Sequence, residues 1–161
     1  MAIYMKYGEE IKGDATQAGY EGWINLSSFD WGLERHFAGD QTGRALNREA
    51  SQAQVKRCHV TKDVDHSSGA ILKTVATHFK SEKCTIVFVR TGNPGEAYLT
   101  FTLTDALISN LAVSSGQTER PTEKLEIDFT ELEIECKTLA EDNTSEENMR
   151  ITYSTATGVG S

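Results

Sequence analysis

Three observations predict a mainly β fold for this chain. Alternation of apolar and polar residues recurs along most of its 161 residues, only the stretch at about 67–80 has helical period, and one segment, 38–54, is polar and aperiodic. The prediction is a set of strands with one short α-helix and one long extended loop, in a single domain spanning 1–161 that ends in a loose tail at 155–161.

Each element has its own signal. Ile3, Met5 and Tyr7 share one face of a first strand. The turn-rich connection GEEIKGDATQAGYEG leads to a second, in which Trp23-Ile24-Asn25-Leu26 continues past an irregularity at Ser27 and Ser28 into Phe29-Asp30-Trp31-Gly32. Segment 38–54, AGDQTGRALNREASQAQ, is too hydrophilic for the core, and loops longer than ~12–15 residues without structure of their own usually serve a function or are disordered. Val55, Cys58 and Val60 resume a strand. The helix begins at Ser67 or Ser68, either a good N-cap. Asp63 and Asp65 precede it and Lys80 and Lys83 follow it, so each sign suits the helix dipole. Ile71, Leu72, Val75, Ala76 and Phe79 make its apolar stripe, which must dock on a sheet because so short a helix is marginal alone.

Cys84-Thr85-Ile86-Val87-Phe88-Val89-Arg90 is apolar on nearly both faces, as expected of a central strand. The turn Gly92-Asn93-Pro94-Gly95 returns the chain into a strand at 97–103, and 107–113 makes another. In KLEIDFTELEIEC, Leu125, Ile127 and Phe129 hold odd positions and Leu132, Ile134 and Cys136 even ones. A β-bulge near Thr130 reconciles the two phases and bends the strand. LAEDNTSEEN reads as a solvated loop and 149–155 as a last edge strand.

Composition narrows the function. With 24 acidic against 16 basic residues the net charge is −8, which excludes a phosphate-binding surface and hence nucleic acid as a partner. No apolar run approaches the ~20 residues of a spanning helix, and MAIYMKYGEEIKG lacks the basic and apolar regions of a secretory signal. The expectation is a protein that folds in the cytoplasm without membrane insertion. Cys58, Cys84 and Cys136 are widely spaced within strand-like runs and read as reduced, buried small hydrophobes.

Candidate chemistry is weak. Asp65-His66-Ser67 holds the residue types of a hydrolase triad, but sequence neighbours do not converge in the geometry a triad needs. His36, His59, His66 and His78, with Cys58 and Cys84, show no zinc-site spacing. Glu126, Asp128, Glu131, Glu133 and Glu135 form a ladder along a strand, and successive same-face residues stand ~6.6–6.8 Å apart, too far to wrap one ion. Trp23, Phe29 and Trp31 fit core aromatics better than a sugar-stacking platform. No phosphate-cradling glycine loop, GxSxG or CxxC is present, so neither enzymatic activity nor a cofactor is expected.

The order of residues is itself informative. MAIYMKYGEEIKGDAT, WINLSSFDWG, TGRALNREAS, VTKDVDHSS with its helix, IVFVRTG, YLTFTLTDALISNLAVSSG and ERPTEKLEIDFTELEIE together resemble the haemolysin-coregulated protein (Hcp) family, the tube subunits of bacterial type VI secretion systems, over about residues 1–137. The tail departs, with 141–148 and MRITYST where the family has a longer glycine-containing loop and an aromatic-bearing strand. The resemblance implies a compact β-barrel of two sheets with one helix alongside, and a homohexameric ring that stacks into a hollow tube. It further implies a contractile sheath and spike as partners, small effector proteins carried in the lumen, and export to the medium or a target cell without a signal peptide. Phage tail-tube proteins are similar in architecture. The rival readings are a monomeric β-sandwich binding module and a hydrolase whose pocket would unite distant residues.

Two sites follow from this reading. The pleat that turns Phe29 and Trp31 inward directs Asp30 to the opposite face, which makes it the candidate lumen-facing residue. In the loop, Arg44, Asn47, Arg48 and Glu49 suit a charge-paired subunit interface, with Arg44 and Arg48 seeking carboxylates on a neighbour.

Overall fold

A computed structural model of the chain describes residues 1–38, 49–50, 52–77, 80–92, 95–139, 146–155 and 159–160. In chain order these form β1 (Ala2–Tyr7), β2 (Ile24–Leu26), β3 (Ser28–Asp30), β4 (Leu33–Glu34), β5 (Phe37–Ala38), β6 (Glu49–Ala50), β7 (Gln54–Val55) and β8 (Cys58–Asp63). After these come α1 (Ser68–Thr77), β9 (Glu82–Val89), β10 (Ala97–Ser114), β11 (Thr122–Asp128), β12 (Glu131–Leu139), β13 (Glu146–Ser154) and β14 (Val159–Gly160).

The strands pair antiparallel in two main sheets that share β10. The first runs β2-β1-β9-β10-β12-β13-β14 and the second β3-β8-β11-β10. The segments expected as separate strands at 97–103 and 107–113 are one bent strand, pairing with β12 up to Thr104 and with β11 from Leu107. The bend centres on Asp105, the one non-glycine residue with positive φ (51°) among the described residues. Its carboxylate accepts hydrogen bonds from Thr130 (3.1 Å) and Ser81 (3.5 Å), which hold this conformation. Thr130 also donates its N–H to Thr104 O (3.1 Å); where the sequence predicts a bulge within one strand, the chain breaks into β11 and β12, which pair with the two halves of β10. At the opposite corner Ser27 interrupts pairing between β2 and β3 and gives its N–H to Thr61 O (2.8 Å). The two sheets are thus joined at two corners, and the strands do not close into the unbroken cylinder that a barrel would be.

The main core lies between the sheets. Met5, Ile24, Ile86, Leu103 and Leu132 from the first sheet meet Cys58, Val60, Leu125 and Ile127 from the second. A smaller cluster sits on the outer face of the first sheet, where the 8–23 connection folds back over Tyr4, Val87 and Val89 and sets Tyr20 against Tyr4 (5.2 Å between ring centroids) and Trp23 against Tyr20 (5.3 Å). This cover is why β9 reads as apolar on both faces. Gly13 permits the fold-back: a Cβ there would stand 2.4 Å from Trp23 O and 2.6 Å from Ile24 Cα.

The helix is narrower in its contact than its sequence predicts. Ile71 is buried and Val75 half-buried, whereas Leu72 (58% exposed) and Ala76 face water, because each residue advances the side chain about 100° round the axis. His78 and Phe79 lie outside the described residues, as do Asn93 and Pro94 of the predicted turn. The tail is more structured than expected: Val159–Gly160 pairs with Tyr153 and Ser154, and Thr155 donates N–H and Oγ1 to Thr130 O at 2.8 and 2.7 Å.

Candidate assembly surface

Asp30 ends β3, between two rings that turn inward. Phe29 packs on Phe101 (4.8 Å) and Phe88 (5.4 Å), and Trp31 on Phe101 (5.9 Å), so the pleat leaves Asp30 exposed on the outer face. Strand register extends that polar position across the second sheet: Asp30 faces His59, His59 faces Glu126 and Glu126 faces Asn110. Asn110 donates to Glu126 (3.4 Å), and Arg57 bridges Glu126 (3.5 Å) and Asp128 (3.7 Å). The outer face of this sheet is therefore a continuous hydrogen-bonding surface of mixed charge. Behind it, burial and then the Asp30 charge push the Cys58 thiol up to about 12, and burial, then Cys58, raises that of Cys84 as well. Both are inert core groups, while Cys136 is half-buried.

The expected loop leaves the body as a two-stranded ribbon. Leu33 pairs with Val55 and Glu34 with Gln54, then Phe37 with Ala50 and Ala38 with Glu49. Arg44, Asn47 and Arg48 lie outside the described residues, and Glu49 is placed by its backbone in β6. At the ribbon's base Lys56 bonds Glu34 (3.0 Å) and, through that bond and its charge, holds the Glu34 carboxyl below its usual range. Tyr153 OH reaches Ala53 O (3.4 Å), tying β13 to the base across a cleft of about 330 Å³.

The VTKDVDHSS passage builds a buried charged cluster. Lys62 is fully buried and Glu123 is 3% exposed. Lys62 Nζ meets Glu123 Oε2 (2.5 Å), Asp65 Oδ1 (2.9 Å), Asp63 O (2.9 Å) and Ser68 Oγ (3.1 Å). Ser68 also donates to Glu123 (2.9 Å). Asp65 accepts from the Ser67 N–H (2.9 Å) and Oγ (2.5 Å). The adjacent Asp65-His66-Ser67 thus caps a helix, with Ser67 O accepting the first intrahelical bond from Ile71 (3.0 Å) and His66 pointing to solvent. Sequence reading missed Lys62 and Glu123. The signal was present, since Cys58-Val60-Lys62 and Leu125-Glu123 each put a charge at an inward position, but only the register sets them opposite one another. Among the described residues no group of three or more His, Cys, Asp or Glu side chains is arranged to hold a metal ion.

Comparison with known proteins identifies the family of the chain. The family model described as "Type VI secretion system effector, Hcp" matches residues 4–136. The chain belongs to this family, whose members are tube subunits of type VI secretion systems. Among solved structures, a type six secretion system protein superposes with a TM-score of 0.85 at 18% identity, covering 99% of both chains. Hcp1 from Salmonella typhimurium gives 0.77 at 16% identity over 99% of this chain and 98% of that one. A type VI secretion system effector from Yersinia pestis gives 0.72 at 16% identity, covering 95% and 99%. Among curated proteins no sequence matches.

Proposed function

We propose that this chain is a structural subunit that closes into a homohexameric ring, stacks into a hollow tube and is exported by a contractile sheath and spike. The observation that carries this reading is the family match over residues 4–136, with a fold that aligns end to end with a secretion-system protein. The subunit folds in the cytoplasm, performs no catalysis and reaches the medium or a target cell as part of the tube. The polar row of Asp30, His59, Glu126 and Asn110 forms the lumen wall, and small effector proteins ride against it through hydrogen bonds and exchangeable ion pairs. The ribbon at 33–55 joins subunits or successive rings, with Arg44, Asn47, Arg48 and Glu49 at the contact.

Native mass spectrometry with electron microscopy of the purified protein tests the assembly: a six-fold ring is expected. A stable monomer at micromolar concentration and physiological salt refutes it and favours the binding-module reading. For the lumen, labelling of an Asp30→Cys variant is expected to slow when cargo fills the ring, and a label found on the outer wall ends that assignment. For the ribbon, Arg44→Ala with Arg48→Ala leaves the subunit fold intact, weakens stacking and secretion, and is partly mimicked by high salt. Tubes exported like the wild type would reduce the ribbon to decoration.

A further inference from the structure

The ribbon leaves the body through a joint that neither ladder spans. The last pair between β3 and β8 is Asp30 with His59, and the first pair of the ribbon is Leu33 with Val55. Between them Trp31 and Gly32 on one leg face Lys56, Arg57 and Cys58 on the other. That is one residue more, the count of a β-bulge, which bends a two-stranded ribbon. Across the joint Lys56 donates its N–H to Gly32 O (3.0 Å). The indole Nε1–H of Trp31 is buried there and finds no acceptor among the described residues, so this pose leaves a donor unsatisfied at the joint. Beyond the joint a cleft of about 330 Å³ separates the ribbon from the body, with Ala53, Val55 and Lys56 on one wall and Phe129, Tyr153 and Thr155 on the other.

We infer that the ribbon base is a hinged strap with a catch: it pivots at 31–32 and 56–57, and the Tyr153 hydroxyl holds it at one angle. The two halves of the catch differ in how firmly they are fixed. Tyr153 stands in β13 between Leu132, a core residue, and Gly160, and the following residue, Thr155, is bonded twice to Thr130 O (2.8 and 2.7 Å). Ala53 lies between β6 and β7, outside both ladders of the ribbon. Its carbonyl accepts from the Tyr153 hydroxyl at 3.4 Å, longer than most O–H···O bonds, so the catch is one that opens readily. Within the ribbon Lys56 grips Glu34 (3.0 Å), which keeps the base together as it turns. Such a bond adds little to global stability, but it selects one angle from the range that the bulge allows. The C-terminal strand thereby aims a ribbon that lies 100 residues away in sequence. In the tube-subunit reading, on which the catch itself does not rest, a ribbon already aimed loses less freedom on meeting its partner.

Hydrogen exchange of the full chain, read by mass spectrometry, tests the catch. Wild type is compared with Tyr153→Phe, which removes the hydroxyl and keeps the ring, and with Ser154→Ala, the next position on the opposite face of β13. In Tyr153→Phe, exchange in peptides covering 31–36 and 52–57 is expected to rise about two- to tenfold, as the net worth of one hydrogen bond implies, while the peptide covering β9 keeps its wild-type rate. Ser154→Ala is expected to match wild type in both regions. Unchanged exchange at the ribbon base of Tyr153→Phe overturns the catch. An equal rise in β9 overturns it too, since Tyr153 is then a packing residue of the whole subunit. The rates are compared within one assembly state, fixed by native mass spectrometry, so a monomeric wild type overturns the tube-subunit reading and leaves the catch to be decided by the exchange.

Discussion

Two regions of this molecule invert the usual placement of residues. At the start of α1, a lysine and two carboxylates lie inside the protein, while at the far end of the first sheet methionine and isoleucine lie in water. The difference lies in where each group finds its partners. Lys62 is satisfied within its own chain by Glu123, Asp65, Ser68 and a backbone carbonyl, and the positive end of the helix offsets part of the excess negative charge. Met149 and Ile151 have no comparable cover among the described residues. A closed cluster is complete within the subunit, and an open one leaves apolar side chains in water.

Breaking the buried cluster should have the largest effect. Lys62→Met leaves Glu123 and Asp65 without their cation, and losing one partner of a buried pair costs about 3–5 kcal/mol, measurable by urea unfolding. A loss under about 1 kcal/mol would make the cluster no more than an exposed pair and erase the contrast. Gly13→Ala comes next, because the new methyl meets backbone atoms that cannot swing away. About 1–3 kcal/mol is expected, together with loosening of the fold-back seen as a change in Trp23 fluorescence.

The buried thiols sharpen the same side through pH. Cys58 is raised from 9.0 to about 12, so between those values the unfolded chain releases a proton that the folded chain retains. Stability then falls as pH rises, by up to about 1.4 kcal/mol per pH unit for each such thiol. Cys84 acts in the same direction, and Tyr7, raised from 10.0 to about 12 mainly by burial, adds to the slope at higher pH. Urea midpoints should decline above pH 9, less steeply in Cys58→Ala, and an unchanged slope there would show that the thiol is not protected.

On the open side, effects on the subunit should be small. Ile151→Thr should change subunit unfolding by about 1 kcal/mol or less, measured by urea unfolding at low protein concentration. A change as large as that from Lys62→Met would place Ile151 in the monomer's own core. Arg150→Ala removes only an exposed pair with Glu133 (2.6 Å) on the other face of β13, and thermal unfolding is expected to show no measurable shift.

What the sequence by itself determined is what depends on neighbours along the chain. Alternation placed Phe29 and Trp31 inward and Asp30 outward, a slipped phase marked the irregularity at Thr130, where the structure has a break between two strands in place of the expected bulge, and polar residues ahead of Ile71 marked the helix start. The family resemblance, carried by the order of such segments, was legible for the same reason. Only the tertiary structure decided what depends on register between distant strands. It set Lys62 against Glu123, joined Asp30 to His59, Glu126 and Asn110 in one row, and turned the expected loop into a ribbon at its base. It also made 97–114 one strand shared by two sheets, drew the tail onto β13 and left Met149 and Ile151 exposed. The period of a strand specifies which side chains share a face, but what covers that face is fixed by elements far along the chain, or by another chain altogether.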